Sequence, residues 1–442
     1  MAAGHKISIA DEKMQYEFTS PLKKKLMYAF VVGIALLVVG AVLNLTGVLG
    51  AEHGAAAEGH ALVGGGGAEG HYHWSKRLYA NLWLCCVYFT GISLAGIFFV
   101  SVNYVAWAGW SALIKRIPEA FGNFLPVTGI LMLILFFVAG HDLFHWTHEG
   151  ITDPNSEHYD SIIAGKAAYL NTPFFLGRMI FYFVVWYGLF LFFRKLSAQE
   201  DQIADYNGYL KNPAIYNKRV YFSAVFLIVF AVTSSTSAWD WVMSIDTHWF
   251  STMFGWYNFA SWFVASLAVV TLTVIYLKEA GYLKAVNQHH LHDLGKFMFA
   301  FSIFWAYIWF SQFLLIYYAH IPEETYYFEP RLFGHYRGVF FLNIIINFAF
   351  PFLALMTRES KRTTVLIKIA AFAILIGHYL DFYMMVMPGT VGDNAGFGFF
   401  EFGTLAVFIS AFIYTIANGL TKLPLIPKND PFIKESLHFT QF

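Results

Sequence analysis

Charge is what this sequence is shortest of: Asp, Glu, Lys and Arg make up 13% of its 442 residues, about half the share of a soluble domain. With 58% apolar residues and a mean hydropathy of +0.53, that deficit excludes a water-soluble globular chain. An excess of either sign is also missing. A net charge of zero and a pI near 7.3 give nucleic acid or an acidic substrate no footing. Cysteine is nearly absent. Cys85 and Cys86 stand side by side in an apolar run, too few for a disulfide framework or for holding an iron–sulfur cluster; they read as small buried hydrophobes. A b-type haem would need two histidines at matched depth on facing helices, and only His378 lies deep in an apolar segment.

What the chain has is long apolar runs. Ten segments reach spanning length, at about 26–49, 79–104, 123–144, 173–194, 219–241, 253–277, 294–319, 337–357, 364–387 and 398–418, so the expected fold is an all-α integral membrane protein. The polar leader 1–25 ends in Lys23-Lys24-Lys25 and is too long for a cleaved signal. Of 28 Lys and Arg, Lys76, Arg77, Lys166, Arg331 and Arg337 fall on the side opposite the N-terminus and Arg178 falls within a span. The rest lie on the N-terminal side, so both termini are expected in the cytoplasm. The loop at 50–76 on the opposite side carries Gly64–Gly67 and His53, His60, His71 and His73. It reads as a solvated tract, with metal binding the other reading.

An internal echo divides the chain. The fifth span ends Trp239-Asp240-Trp241-Val242-Met243 and the ninth contains Leu380-Asp381-Phe382-Tyr383-Met384. Two four-helix bundles follow, at 77–241 and 242–387, with the first span and the last span plus tail (388–442) peripheral to them.

Ionisable groups within spans are costly and mark function or pairing. They gather in the half opposite the N-terminus: His141, Asp142 and His145 at the end of span three, Arg178, Asp240, Gln312, His378 with Asp381 one turn on, and Glu401. The N-terminal half reads as almost free of charge. Thr233, Thr236 and Ser237 share a helical face with Asp240, at offsets of seven, four and three, and form a candidate polar path. Asp246 and His248 read as interfacial. Quinol oxidation and proton conduction both call for such His, carboxylate and hydroxyl groups, and spacing does not separate them.

Four strings add a resemblance: TSSTSAWDWVMSIDTHWFSTMFGWY, HDLGKFMFAFSIFWAYIWFSQFLLIYY followed by IPEE, GHYLDFYMMVMPGTVGD and KLPLIPKNDPFIKES. From about residue 75 onward the chain resembles the F subunit of bacterial alternative complex III, a polysulfide-reductase-like (NrfD-like) membrane protein. The resemblance implies a ten-helix fold with two four-helix bundles in the bacterial inner membrane. It also implies membership of a menaquinol-oxidising complex. The expected partners are a paralogous NrfD-like subunit, a periplasmic iron–sulfur subunit, multihaem and monohaem c-type cytochromes carrying haem c, a terminal cytochrome oxidase and phospholipids. The F subunit itself is expected to carry no cofactor and to hold a proton half-channel. On that reading His378 and Asp381 are the deep proton-handling pair. Asp240 with Thr233, Thr236 and Ser237 forms a path, Arg178 tunes a neighbouring carboxylate, and His141, Asp142 and Glu401 are further members. One alternative makes the chain itself the quinol-binding subunit, through His141, Asp142, Arg178 and His378. The other makes it a structural membrane anchor.

Overall fold

Inside a bilayer every backbone amide must find a partner within the chain, which leaves helices as the way for apolar runs of this length to cross. The computed structural model describes residues 12–46 and 73–441. Among these described residues are ten helices long and apolar enough to span: α1 Ser20–Leu45, α2 Trp74–Val105, α3 Arg116–Leu143, α4 Thr172–Asp201, α5 Ala214–Ile245, α6 Phe254–Glu279, α7 Gln288–Ala319, α8 Arg337–Ala354, α9 Thr364–Asn394 and α10 Phe399–Leu420. There is no strand among the described residues. Helix ends follow local chemistry. Asn171 accepts from the Phe174 amide with Pro173 in the first turn of α4, Asn287 accepts from the amides of His289 and His290, and His320 closes α7 in the left-handed region at φ 47°.

Two rings of four helices form the body. Around the first, α2 packs on α3, α3 on α4, α4 on α5 and α5 back on α2; around the second, α6, α7, α8 and α9 close in the same order. The rings meet where α2 lies against α6 and α9, and these central helices are the most buried. Small residues let them approach. A Cβ on Gly91 would lie 1.9 Å from the Trp262 ring. Helices α1 and α10 pair with each other outside the rings. A Cβ on Gly33 would lie 2.9 Å from the Gly403 carbonyl oxygen, so only glycine permits that crossing.

The helices overrun their apolar segments chiefly at the end of the molecule where the described N- and C-terminal segments lie, here called the terminal face. There α3 begins at Arg116, α4 runs to Asp201, α5 begins at Ala214 and α7 begins at Gln288. The reason is that the charges at this end pair with one another. Arg219 binds Glu119 at 3.2 Å and Glu200 at 3.0 Å, and Arg116 binds Asp201 at 2.9 Å; all are buried except the half-buried Asp201. These charges neutralise one another inside protein, so the helix need not stop where the apolar run does. The tail 421–441 lies across this face. Asp430 pairs with Lys115, Ser436 donates to the Trp110 carbonyl at 2.6 Å and meets His290 at 3.2 Å, and Gln441 donates to Asp293 at 2.6 Å.

Candidate functional site

The most enclosed acid of the second ring is Asp381, fully buried on α9. An ionised carboxylate only accepts hydrogen bonds, and here the donors come from three helices. Tyr257 and Ser261 of α6 donate their hydroxyls, Trp305 of α7 donates its indole N–H at 2.9 Å, and Asn343 of α8 donates its amide at 2.8 Å. His378, one turn back on α9 and equally buried, places Nδ1 3.9 Å from the carboxylate and 3.2 Å from Ser261 Oγ. Because the single hydrogen of Ser261 goes to Asp381, the hydrogen of the histidine contact sits on Nδ1. His378, Ser261 and Asp381 thus form a donor-to-acceptor chain, and His378 Nε2 is buried without a hydrogen-bond partner. A π-helical turn at Ile345–Ala349, a device common at functional sites, accompanies Asn347, which donates to Asn343 Oδ1 at 2.5 Å. That contact turns the Asn343 amide N–H toward Asp381. Gly377 makes room, since a Cβ there would lie 2.2 Å from Asn347 Oδ1.

Toward the far face, opposite the chain ends, lies a cavity of about 20 Å³, enough for roughly one water. Tyr257 and Asn343 line it on the Asp381 side, with Gln312, Tyr327 and Arg331 also in its wall. Arg331 is buried, lies 3.5 Å over the Tyr327 ring, donates to the Met384 carbonyl at 2.9 Å and pairs with Asp246 at 2.8 Å. Burial pushes the Tyr327 phenol up to about 12. The expectation of an interfacial Asp246 is therefore corrected: it is the partner of a buried arginine. Asp381, Tyr257, the cavity, Arg331 and Asp246 make a polar line from the interior to the far face.

In the first ring the acid is Asp240 of α5. Arg178 of α4 grips it with two bonds, of 2.8 and 2.9 Å, and Tyr182 donates to it at 3.2 Å. The guanidinium is itself fixed, 3.8 Å over the Tyr169 ring and 4.2 Å over Phe174. The hydroxyls on the Asp240 face turn to their own helix: Thr233 donates to Val229 O at 2.7 Å, Thr236 to Val232 O at 3.1 Å and Ser237 to Ser234 O at 3.0 Å. Trp186 caps Thr233 at 2.9 Å. Helix α5 therefore carries hydroxyls bonded to backbone rather than to one another.

The remaining candidates separate by place. Glu401 accepts from Nε and Nη2 of Arg77, at 2.8 and 2.7 Å, from the Asn81 amide at 2.8 Å and from the Gly398 N–H at 2.8 Å, so it joins α2 to α10 and caps α10. His141 and Asp142 end α3 at the far face and make no hydrogen bond to Asp381 or Asp240. His141 stacks on His148 at 4.0 Å, His145 meets His148 edge-on at 4.8 Å, and His248 contacts Asp160 at 2.5 Å. His53, His60 and His71 lie outside the described residues; His73 caps α2. The residues missed by sequence reading are Tyr257, Ser261, Trp305, Asn343 and Arg331. A signal existed for one. Asn343 stands six residues past the start of α8, and Arg178 stands six past the start of α4.

No family model matches this chain, and no curated protein matches it either. What identifies the molecule from its own structure is a ten-helix membrane-type fold with a buried acid in each of two rings.

Proposed function

We propose that this chain is a multi-pass subunit of a respiratory complex of the alternative complex III type, and that it conducts protons between its interior and the far face while the complex oxidises menaquinol. The observation that carries the reading is the Asp381 network. It is a fully buried carboxylate held by hydroxyl, indole and amide donors and linked through a water-sized cavity to a buried Arg331–Asp246 pair. A buried acid with no arginine or lysine on it is costly to keep, and proton exchange is a use that repays it. In this reading His378 and Asp381 trade a proton through Ser261, and Tyr257 relays it to water in the cavity. The Arg331–Asp246 pair stands at the exit.

The quoted strings support placing the chain beside a paralogous NrfD-like subunit, an iron–sulfur subunit and c-type cytochromes, with quinol handled by the complex and the redox groups carried by the partners. The Lys and Arg distribution supports an inner-membrane orientation with the terminal face in the cytoplasm, so that the far face is the periplasmic one. The test is Asp381→Asn in the assembled complex, reading protons released per electron. The expected result is a lower proton yield at retained electron transfer. Unchanged stoichiometry at unchanged turnover overturns the reading, and a loss of complex yield with normal turnover per complex favours the structural anchor instead.

A further inference from the structure

The two rings hold one acid each at corresponding places, yet they treat its charge in opposite ways. Arg178 and Asn343 occupy the same position on α4 and α8, six residues past each helix start, and each bonds the acid of its own ring. Four residues further on, the correspondence continues. Tyr182 bonds Asp240, and Asn347 bonds Asn343.

We infer that the residue at this position decides which ring exchanges protons: Arg178 locks Asp240 as a permanent anion, while Asn343 leaves Asp381 free to gain and lose a proton. The inference rests on the proton-conducting reading and assigns it to one ring.

The chemistry follows from the donors. Arginine cannot give up its proton or accept one. A proton on Asp240 would break two charge-assisted bonds and leave a half-buried guanidinium, packed on Tyr169 and Phe174, without a counter-ion. Around Asp381 two of the donors are hydroxyls, Tyr257 and Ser261, and a hydroxyl can turn from donor to acceptor when the acid takes a proton. The neutral amide of Asn343 tolerates both states. The other ionisable groups facing Asp381 are His378 on its own helix, Tyr88 from α2, and Tyr327 and Arg331 around the cavity. His378, bridged by Ser261, is the proton's nearest partner. Arg178 and Asn343 are positioning residues in this scheme, since neither carries the proton.

The experiment is infrared difference spectroscopy of the full chain in lipid nanodiscs during a pH titration, reading the C=O stretch of protonated carboxyl groups, with no electron transfer involved. The expected result is a band that grows on acidification, is lost in Asp381→Asn and persists in Asp240→Asn. Asn343→Arg should abolish it. Arg178→Asn should add a second titrating band, lost again when Asp240→Asn is combined with it. A band that disappears with Asp240→Asn rather than Asp381→Asn overturns the inference, as does a folded Arg178→Asn protein with no new band. A titrating Asp381 beside an unchanged proton yield in the complex would remove the transport reading and leave this assignment standing.

Discussion

Arg331 shows how a loop residue becomes part of the protein interior. Its guanidinium is satisfied by Asp246, by the Met384 and Tyr327 carbonyls and by the face of Tyr327, so either charge alone would be stranded. Arg331→Met should destabilise the protein by about 3–5 kcal/mol, the usual penalty for breaking a buried pair from one side. Arg331→Met combined with Asp246→Leu should recover most of that, because a well-packed apolar replacement is often neutral. Thermal unfolding of the three proteins in one detergent checks both outcomes. At this scale the sequence was readable where a charge interrupts an apolar run, as at Arg178, Asp240 and Asp381. It was unreadable at Arg331, which sits among the aromatics of a connecting segment and looks like any loop cation. Tyr257, Ser261 and Trp305 were equally hidden, since a hydroxyl or indole inside a helix has no distinguishing mark until its partner is known.

Among elements, the far-face loop between α3 and α4 has its own dependence on acidity. Burial, joined by the neighbouring imidazoles, lowers His145 and His148 below their ordinary 6.5. In the unfolded loop these rings bind protons at a pH where the folded loop does not. Loop stability therefore falls as pH drops below about 6.5 and levels off beneath the folded values. Asp160 adds a second stage. Burial opposes its charge, but the Ile163 and Ile162 amides and His248 hold it below the usual carboxylate 3.8, a contribution present above that value and lost as pH falls through its folded one. Hydrogen exchange at amides 145–166, corrected for intrinsic rates, should quicken as pH goes from about 7 to about 5. Phe at both His145 and His148 should flatten that response. Span order and number were legible because spanning length is a property of local composition. Helix ends at the terminal face were not, since Arg116, Glu119, Glu200, Asp201 and Arg219 are tolerated there through their ion pairs.

For the whole molecule, the tail ties the two rings together at the terminal face. Asp430 neutralises Lys115 at the foot of the first ring. Ser436 and Gln441 reach His290 and Asp293 of the second. Burial already pushes the Lys115 amine well below its ordinary value. Removing residues 425–442 would leave it buried without its carboxylate, with a penalty of about 3–5 kcal/mol. The expected outcome is a lower unfolding temperature and, in the folded fraction, a Lys115 amine acylated faster at neutral pH than in the full chain, read by mass spectrometry of the labelled peptide.

Composition and periodicity alone determined that the chain is membrane-embedded, all-helical and crossed by ten spans, because hydropathy and length act residue by residue along the chain. The echo around Asp240 and Asp381 raised the expectation of two units, and the helices pack in two rings of four. Only the tertiary structure decided what each acid meets. Asp240 receives an arginine and Asp381 a set of neutral donors because α4 and α8 carry different side chains at one matched turn, and helix packing alone brings those turns within hydrogen-bonding reach of the acids. The electrical state of a buried acid depends on partners distant in sequence, so it is fixed by packing rather than by the order of residues around it.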